Sequence, residues 1–378
     1  MSPGTDAGPL RDRLLERFRQ PFDSPMSDAE FNQLALASFQ HQFARNPPFA
    51  AWCRARGAVP GRIDHWSAVP AVPTGAFKHV ELVAGDAATA QATFRTSGTT
   101  RGADRRGTHH VLDLALYHGS LLPTFAAFLL PDGARPTMVS LLPPAAQLPD
   151  SSLAHMVDRV VRTFGDEHSG WFASARDGLD IAALHAALEH AVRAGRAVCL
   201  LGTSLSFVHW LDALRDDGRD WHLPPGSRLM DTGGYKGLDR SVPAERLVED
   251  YHSRLGLDPA YCINEYGMTE LCSQYYDTAL RDVRFGAPAE HRRKAGPPWL
   301  RTRAVDAETL QPVPAGTPGL LQHFDLANLG SVLAVQTEDI GTVDDDGVRL
   351  LGRVTDAQPR GCSIAMDELL QAARAVQP

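Results

Sequence analysis

Lysine is almost absent from this chain. Of 37 basic side chains in 378 residues, only Lys78, Lys236 and Lys294 are lysines, which leaves 34 arginines. A GC-rich coding bias accounts for so much Ala, Arg and Gly. A lysine kept under that bias is informative, because arginine cannot replace it as a titrating amine or a compact point charge. Cysteine is scarce as well. Cys53, Cys199, Cys262, Cys272 and Cys362 are odd in number, widely spaced and without a CxxC pair. This argues against a disulfide framework or a zinc site and predicts a reducing, cytoplasmic setting. No run approaches ~18 uninterrupted apolar residues, so no membrane span is expected. Met1 to Asp6 has neither a basic start nor an apolar run, so no signal peptide is expected. The net charge of −8 speaks against a dedicated nucleic-acid binder. It leaves room for a small anionic ligand in one donor-rich pocket.

What is present reads as a globular α/β chain. Hydrophobic residues make up 43% and charged residues 22%, which excludes disorder and coiled coil. The pattern predicts helices over residues 9–44, 114–130, 151–163, 179–195, 204–214 and 243–254. Short buried strands are expected at 136–142, 198–201 and 228–230, with another at Val80–Val83. Alternating helices and strands imply a sheet whose strand-end loops carry the ligand. After residue 300 the Pro- and Gly-rich stretch 312–319 and the runs 320–326, 331–337 and 348–351 predict β-structure.

Three segments carry chemistry. Thr96-Ser97-Gly98-Thr99-Thr100-Arg101-Gly102 packs four hydroxyls and two glycines into seven residues. Such a loop donates backbone N–H and hydroxyl groups to phosphate, although it is equally readable as a polar surface turn. Asn264-Glu265-Tyr266-Gly267-Met268-Thr269-Glu270 offers a carboxylate for Mg²⁺, a hydroxyl for phosphate and an aromatic face for a base. Its plain alternative is a strand-to-helix turn with Glu270 against the helix dipole. In Thr337-Glu338-Asp339-Ile340-Gly341, with Gly352-Arg353 beyond it, a strand-end carboxylate can hold ribose hydroxyls or can simply be a surface acid of a hairpin.

Together and in this order the three segments resemble the adenylate-forming superfamily of acyl-CoA synthetases, adenylation domains and luciferase-like enzymes. Within it the sequence is similar to the acyl-protein synthetases of bacterial luminescence, with phenylacetate-CoA ligases more distant. The resemblance spans roughly residues 60 to 365. It also rests on Ala76-Phe77-Lys78, His110 with Asp113, Ser151 to Val157, Gly202-Thr203-Ser204, Gly233-Gly234-Tyr235-Lys236-Gly237 and Arg360-Gly361-Cys362-Ser363. It implies an α/β large domain with a β-rich part near 300–340, a helical N-terminal segment over 9–57, and a C-terminal domain reduced to a stub. The core would be 1–340 and the hinge and stub 341–378.

The implied activity is ATP-dependent activation of a fatty or aryl acid as an acyl-adenylate, followed by acyl transfer to a thiol. Thr96, Ser97, Gly98, Thr99 and Thr100 would cradle the β- and γ-phosphates. Gly233, Gly234, Tyr266 and Gly267 would line the adenine and acyl side. Thr269 would touch the α-phosphate, Glu270 would hold Mg²⁺, and Asp339 would bind the ribose with Arg353 nearby. The resemblance makes Cys362 the acyl acceptor. Two departures stand out. The phosphate loop continues Arg101-Gly102-Ala103-Asp104-Arg105-Arg106, without the family's Gly, Pro and Lys. No lysine follows Lys294, whereas the superfamily's mobile domain of about 100 residues carries an adenylation lysine. Lys236, then Lys78, are the candidates for its task. The alternatives are a CoA- or amine-acceptor ligase, or a non-catalytic acyl-binding subunit that stimulates a partner such as a reductase.

Overall fold

The computed structural model describes residues 8–96, 106–233, 242–289, 292–354 and 360–375. The helices are α1 (Gly8–Arg19), α2 (Asp28–Arg45), α3 (Pro47–Ala55), α4 (Leu114–Leu129), α5 (Ser152–Phe164), α6 (Ile181–Arg193), α7 (Ser204–Asp216), α8 (Ala244–Leu255), α9 (Ala279–Arg284) and α10 (Arg360–Arg374). Most start on a side chain that accepts an otherwise orphaned N–H. Ser27, Asn46, Asp113, Ser151, Asp180 and Thr203 do so for α2 to α7. Helix α8 starts after Pro243 and ends at Gly256, whose φ of 70° closes it in the left-handed conformation.

The strands divide into two groups. The first comprises β1 (Val72–Pro73), β2 (Ala92–Arg95), β3 (Thr108–Val111), β4 (Thr137–Ser140), β5 (Gly170–Trp171), β6 (Ala173–Ser174), β7 (Gly178–Leu179), β8 (Val198–Thr203), β9 (Arg228–Thr232) and β10 (Cys262–Tyr266). The second comprises β11 (Tyr275–Asp277), β12 (Lys294–Ala295), β13 (Leu300–Val305), β14 (Gly319–Asp325), β15 (Ala334–Asp344) and β16 (Gly347–Arg353). One twelve-stranded sheet runs β13-β14-β15-β16-β12-β11-β10-β9-β8-β4-β5, with β1 added alongside β15. From β5 to β10 neighbouring strands are parallel. From β10 to β13 they are antiparallel.

Period-two alternation puts the parallel half between two helical layers. Met138, Cys199, Leu201, Met230 and Ile263 face the core shared with α1 to α5. Val139, Val198, Leu200, Leu229 and Cys262 face the core under α6, α7 and α8. The Val80–Val83 segment is not a strand. It runs as a buried loop that follows a 3₁₀ turn and is tied by the Ala84 N–H to the Gly330 carbonyl at 2.8 Å. Its apolar residues are satisfied by burial alone. The 340/341 junction falls inside β15, whose residues pair with β14 and β16 on both sides of it.

Helix α10, beyond the last strand, is docked. Ala365, Leu369 and Ala373 lie at helical spacing and are 1%, 0% and 2% exposed. They pack toward α3 and β1, and Arg56 pairs with Glu368 at 2.6 Å. The apolar stripe holds the helix, since an exposed ion pair contributes little. Leu369→Ala should therefore weaken docking by about 2–5 kcal/mol. Hydrogen exchange should rise across 360–374 while β8 and β9 keep their protection. Unchanged exchange in that helix would mean another contact holds it.

Candidate active site

The C-terminal ends of β8, β9 and β10 lie side by side where the sheet changes from parallel to antiparallel. Open sheets bind ligands at this kind of crevice. Strand β9 ends in Asp231 and Thr232, with Gly233 just beyond it. Asp231 is buried and accepts from Tyr251 at 3.0 Å, Asn264 at 2.8 Å and Ser204 at 3.3 Å. Burial pushes its carboxyl above the usual range, against those hydrogen bonds. Gly233 has φ 75°, which suits glycine, and its carbonyl accepts from Ser204 at 3.0 Å. Lys294 is buried beneath β10. Its ammonium donates to the Asn264 carbonyl and side chain at 2.6 Å each and pairs with Asp277 at 2.9 Å. All three of its donors are thus engaged in holding strands together.

After β10 the chain does not enter a helix. Residues 267–274 form a turn that leads back into β11. Asp325, at the end of β14, fixes this turn. It accepts from the N–H groups of Cys272 and Ser273 at 2.9 Å each, the Ser273 hydroxyl at 2.7 Å and the Ala327 N–H at 3.0 Å. Asn328 donates to the Glu270 carbonyl at 2.9 Å. His109 on β3 meets the Thr269 carbonyl at 2.6 Å and Asn328 at 3.1 Å. Burial pushes the His109 imidazole down to about 4, so it is neutral at physiological pH.

Three contacts bring the sequence segments together. Ser152, in the first turn of α5, lies 3.4 Å from the Thr269 hydroxyl, oxygen to oxygen. The positive end of the α5 dipole therefore lies beside Thr269, an arrangement that favours an anion. The base of the hydroxyl-rich loop is tied to the same place. Arg106 donates to the Thr96 carbonyl at 2.7 Å and to Asp150 at 2.8 Å, and Gly107 N–H donates to the Thr96 hydroxyl at 2.8 Å. Finally, the Tyr266 hydroxyl donates to Asp339 at 2.8 Å. Asp339 sits opposite Arg353 in the β15–β16 register, and Arg353 pairs with Glu338 at 2.8 Å. The charges of Arg353 and the buried Glu270 also interact. Gly267 passes so close to the Glu265 carboxyl that a Cβ there would collide with it.

Of the expected site residues, Tyr266, Gly267, Thr269, Glu270, Asp339 and Arg353 lie on the turn and strands these contacts join, Thr96 is at the base of the hydroxyl-rich loop, and Gly233 stands just beyond β9. Ser97, Gly98, Thr99, Thr100, Gly234 and Lys236 lie outside the described residues, as does the Cys362 side chain. The Cys362 backbone is in the first turn of α10. The other four cysteines are buried. Burial pushes the Cys199 thiol up to about 12 and raises those of Cys53, Cys262 and Cys272 as well.

The family model described as acyl-protein synthetase, LuxE, matches residues 169–371. The chain belongs to this family. The long-chain-fatty-acid–luciferin-component ligase of Vibrio harveyi is 22% identical over 356 residues, 90% of this chain and 88% of its own length. The ligase of the same name from Aliivibrio fischeri is 22% identical over 358 residues with the same coverage. The fold is similar to that of 2-hydroxyisobutyryl-CoA ligase. Its open conformation gives a TM-score of 0.60 at 16% identity over 89% of this chain and 78% of that one. Its thioesterification state gives 0.61 at 16% identity over 88% and 70%. This acyl-protein synthetase is accordingly an ATP-dependent, acyl-adenylate-forming ligase that passes its acyl group on.

Glu265 was not expected to matter on its own, yet it sets a pH dependence. Burial raises its carboxyl to about 7, only partly offset by the Thr232 hydroxyl that donates to it and by Lys294. A carboxyl raised on folding binds its proton more tightly in the native state, so its contribution is complete below about pH 4.5. It is lost as pH rises through about 7. That loss amounts to about 3 kcal/mol. Glu265→Gln should remove this slope and raise the melting temperature at pH 8 relative to the parent. Parallel stability curves from pH 5 to 8 would disprove the assignment.

Proposed function

We propose that this acyl-protein synthetase acts in the cytoplasm on a fatty acid and ends by acylating its own Cys362. The reading rests chiefly on the Tyr266–Asp339 hydrogen bond, which joins the second and third sequence segments at one crevice. Asp339 takes the ribose there, with Arg353 beside it, while Tyr266, Gly267, Gly233 and Gly234 border the base and the acyl group. The loop Thr96 to Thr100 receives the β- and γ-phosphates, and Thr269 with the α5 terminus receives the α-phosphate. Glu270 is the carboxylate for Mg²⁺, which typically takes one or two protein carboxylates and completes its shell with water and substrate phosphates. When bound, that ion supplies charge neutralisation at the phosphates. A carboxylate oxygen of the acid attacks the α-phosphorus, the bond to the β-phosphate breaks, and pyrophosphate leaves. Lys236 is the amine for this step, ahead of Lys78, because it stands in the sequence between Gly234 and Gly237 just after β9, while Lys294 is committed to Asn264 and Asp277.

The acid is taken to be a fatty acid because both curated relatives are named for long-chain fatty acids. In the second step the thiolate attacks the acyl carbonyl, a thioester forms and AMP departs. Cys362 suits this role because its four counterparts are buried with raised thiol pKa values. The first turn of a helix favours a thiolate. From the thioester the acyl group would pass to a partner protein such as a reductase.

Glu270→Gln should lower acid-dependent pyrophosphate exchange by about 10²–10³-fold, the scale of a lost electrostatic stabiliser. Exchange at the parental rate would remove Glu270 from the metal site. Cys362→Ser should exchange pyrophosphate normally yet form no hydroxylamine-labile acyl adduct by intact-mass measurement. An adduct on the serine variant would place the acceptor elsewhere. Acylation of added CoA in its absence would make the enzyme a CoA ligase, as its structural neighbour is.

A further inference from the structure

Behind Tyr266 the structure continues into a chain of buried polar groups that none of the assigned roles uses. His323 on β14 is 0% exposed. Its Nε2 lies 3.2 Å from the Tyr266 hydroxyl. Its Nδ1 lies 2.9 Å from the Tyr275 hydroxyl and 3.0 Å from that of Thr302. Tyr275 and Thr302 are also hydrogen-bonded to each other. The direction of donation follows from the end of the chain. A carboxylate only accepts, so Tyr266 donates its O–H to Asp339 Oδ2. The phenol then has only lone pairs to offer His323, so Nε2 carries the hydrogen. Nδ1 consequently accepts from Tyr275 or Thr302. Each group has one consistent role.

We infer that His323 is a positioning residue for nucleotide binding: through Tyr266 it fixes the rotamer of Asp339 and leaves Oδ1 to accept a ribose hydroxyl. This rests on the proposed role of Asp339. The remaining oxygen, Oδ1, has the Arg353 guanidinium 3.9 Å away. A carboxylate free to rotate would offer either oxygen to either neighbour and would have to be ordered when ATP arrives, at an entropic cost. The relay does that ordering in advance. It is also insensitive to pH, since burial pushes the imidazole down to about 3 and raises the Tyr266 phenol well above its usual value.

The experiment compares ATP with 2′,3′-dideoxy-ATP on the full-length protein, by calorimetric affinity and by KM and kcat in pyrophosphate exchange. His323→Leu should weaken ATP about tenfold, largely in KM, and leave dideoxy-ATP within about twofold. His323→Gln keeps a donor toward Tyr266 and should recover most of the loss. Equal losses for both nucleotides, or no loss, would overturn the inference, because a merely structural histidine does not discriminate between them. If His323→Leu does not fold, the double variant Tyr275→Phe with Thr302→Val removes both donors to Nδ1. It should show the same selective loss at smaller size, and a non-selective loss there counts against the relay. Asp339→Asn separates the two claims. If it binds both nucleotides as the parent does, the ribose role of Asp339 fails and the inference fails with it. If Asp339→Asn loses the discrimination but the His323 variants keep it, only the relay is wrong.

Discussion

The buried carboxylate of Asp325 accepts four hydrogen bonds, three of them from the turn that follows β10. Taking a carboxyl out of water is costly unless its lone pairs are met, and here they are met by main-chain N–H groups that have no other partner in the turn. The exchange works both ways. The turn gives Asp325 its donors, and Asp325 gives the turn a fixed shape. Because Tyr266, Thr269 and Glu270 all lie on or beside this turn, their placement depends on it. His109 and Asn328 brace the same turn from β3 and from the loop after β14. The turn is therefore braced from both halves of the sheet, although Tyr266, Thr269 and Glu270 are close together in the sequence.

Two buried cations are held by particular partners. Lys294 is bound by Asn264 and Asp277 beneath the site. Arg228, 0% exposed, forks onto Asp132 at 2.9 and 2.8 Å. A buried ion pair of this kind fixes geometry more than it adds stability. In an arginine-rich chain the burial of a lysine beside the crevice shows that lysine retention alone does not mark catalysis, because a compact ammonium also suits a tight carbonyl cage.

Much of this architecture was legible in the sequence where periodicity is strong. Helices α4 to α8 and strands β4, β8 and β9 fall within a few residues of their expected spans, because caps such as Ser151 and Thr203 and apolar runs such as Val198–Leu201 are local signals. The three segments proposed to face the ligand stood out by composition and order. The support beneath them was not. Strand β14 reads as an apolar run, yet Gln322, His323 and Asp325 within it are buried polar residues. Three such residues in an otherwise apolar run were the available sign, but their partners lie 48 or more residues away for Tyr275 and Tyr266 and 52 away for Ser273. Val80–Val83 misled in the opposite sense. Its three apolar residues, Val80, Leu82 and Val83, are buried in a loop and need no strand partner. The turn after β10 also resembled a helix start, and its shape is set by the distant Asp325, Asn328 and His109.

Strand β12 contributes two residues to the sheet and shares a single register pair, Lys294 with Val348, with β16. The backbone ladder between the two panels of the sheet is thus a narrow seam, and the side-chain hydrogen bonds of Asp325 and His323 tie the panels together across it. Tyr266 lies on one panel and Asp339 on the other. Their hydrogen bond is a latch across the seam. If the proposed ribose role of Asp339 holds, a nucleotide gripped from both panels would add one more bridge across the line where the backbone ladder is thinnest.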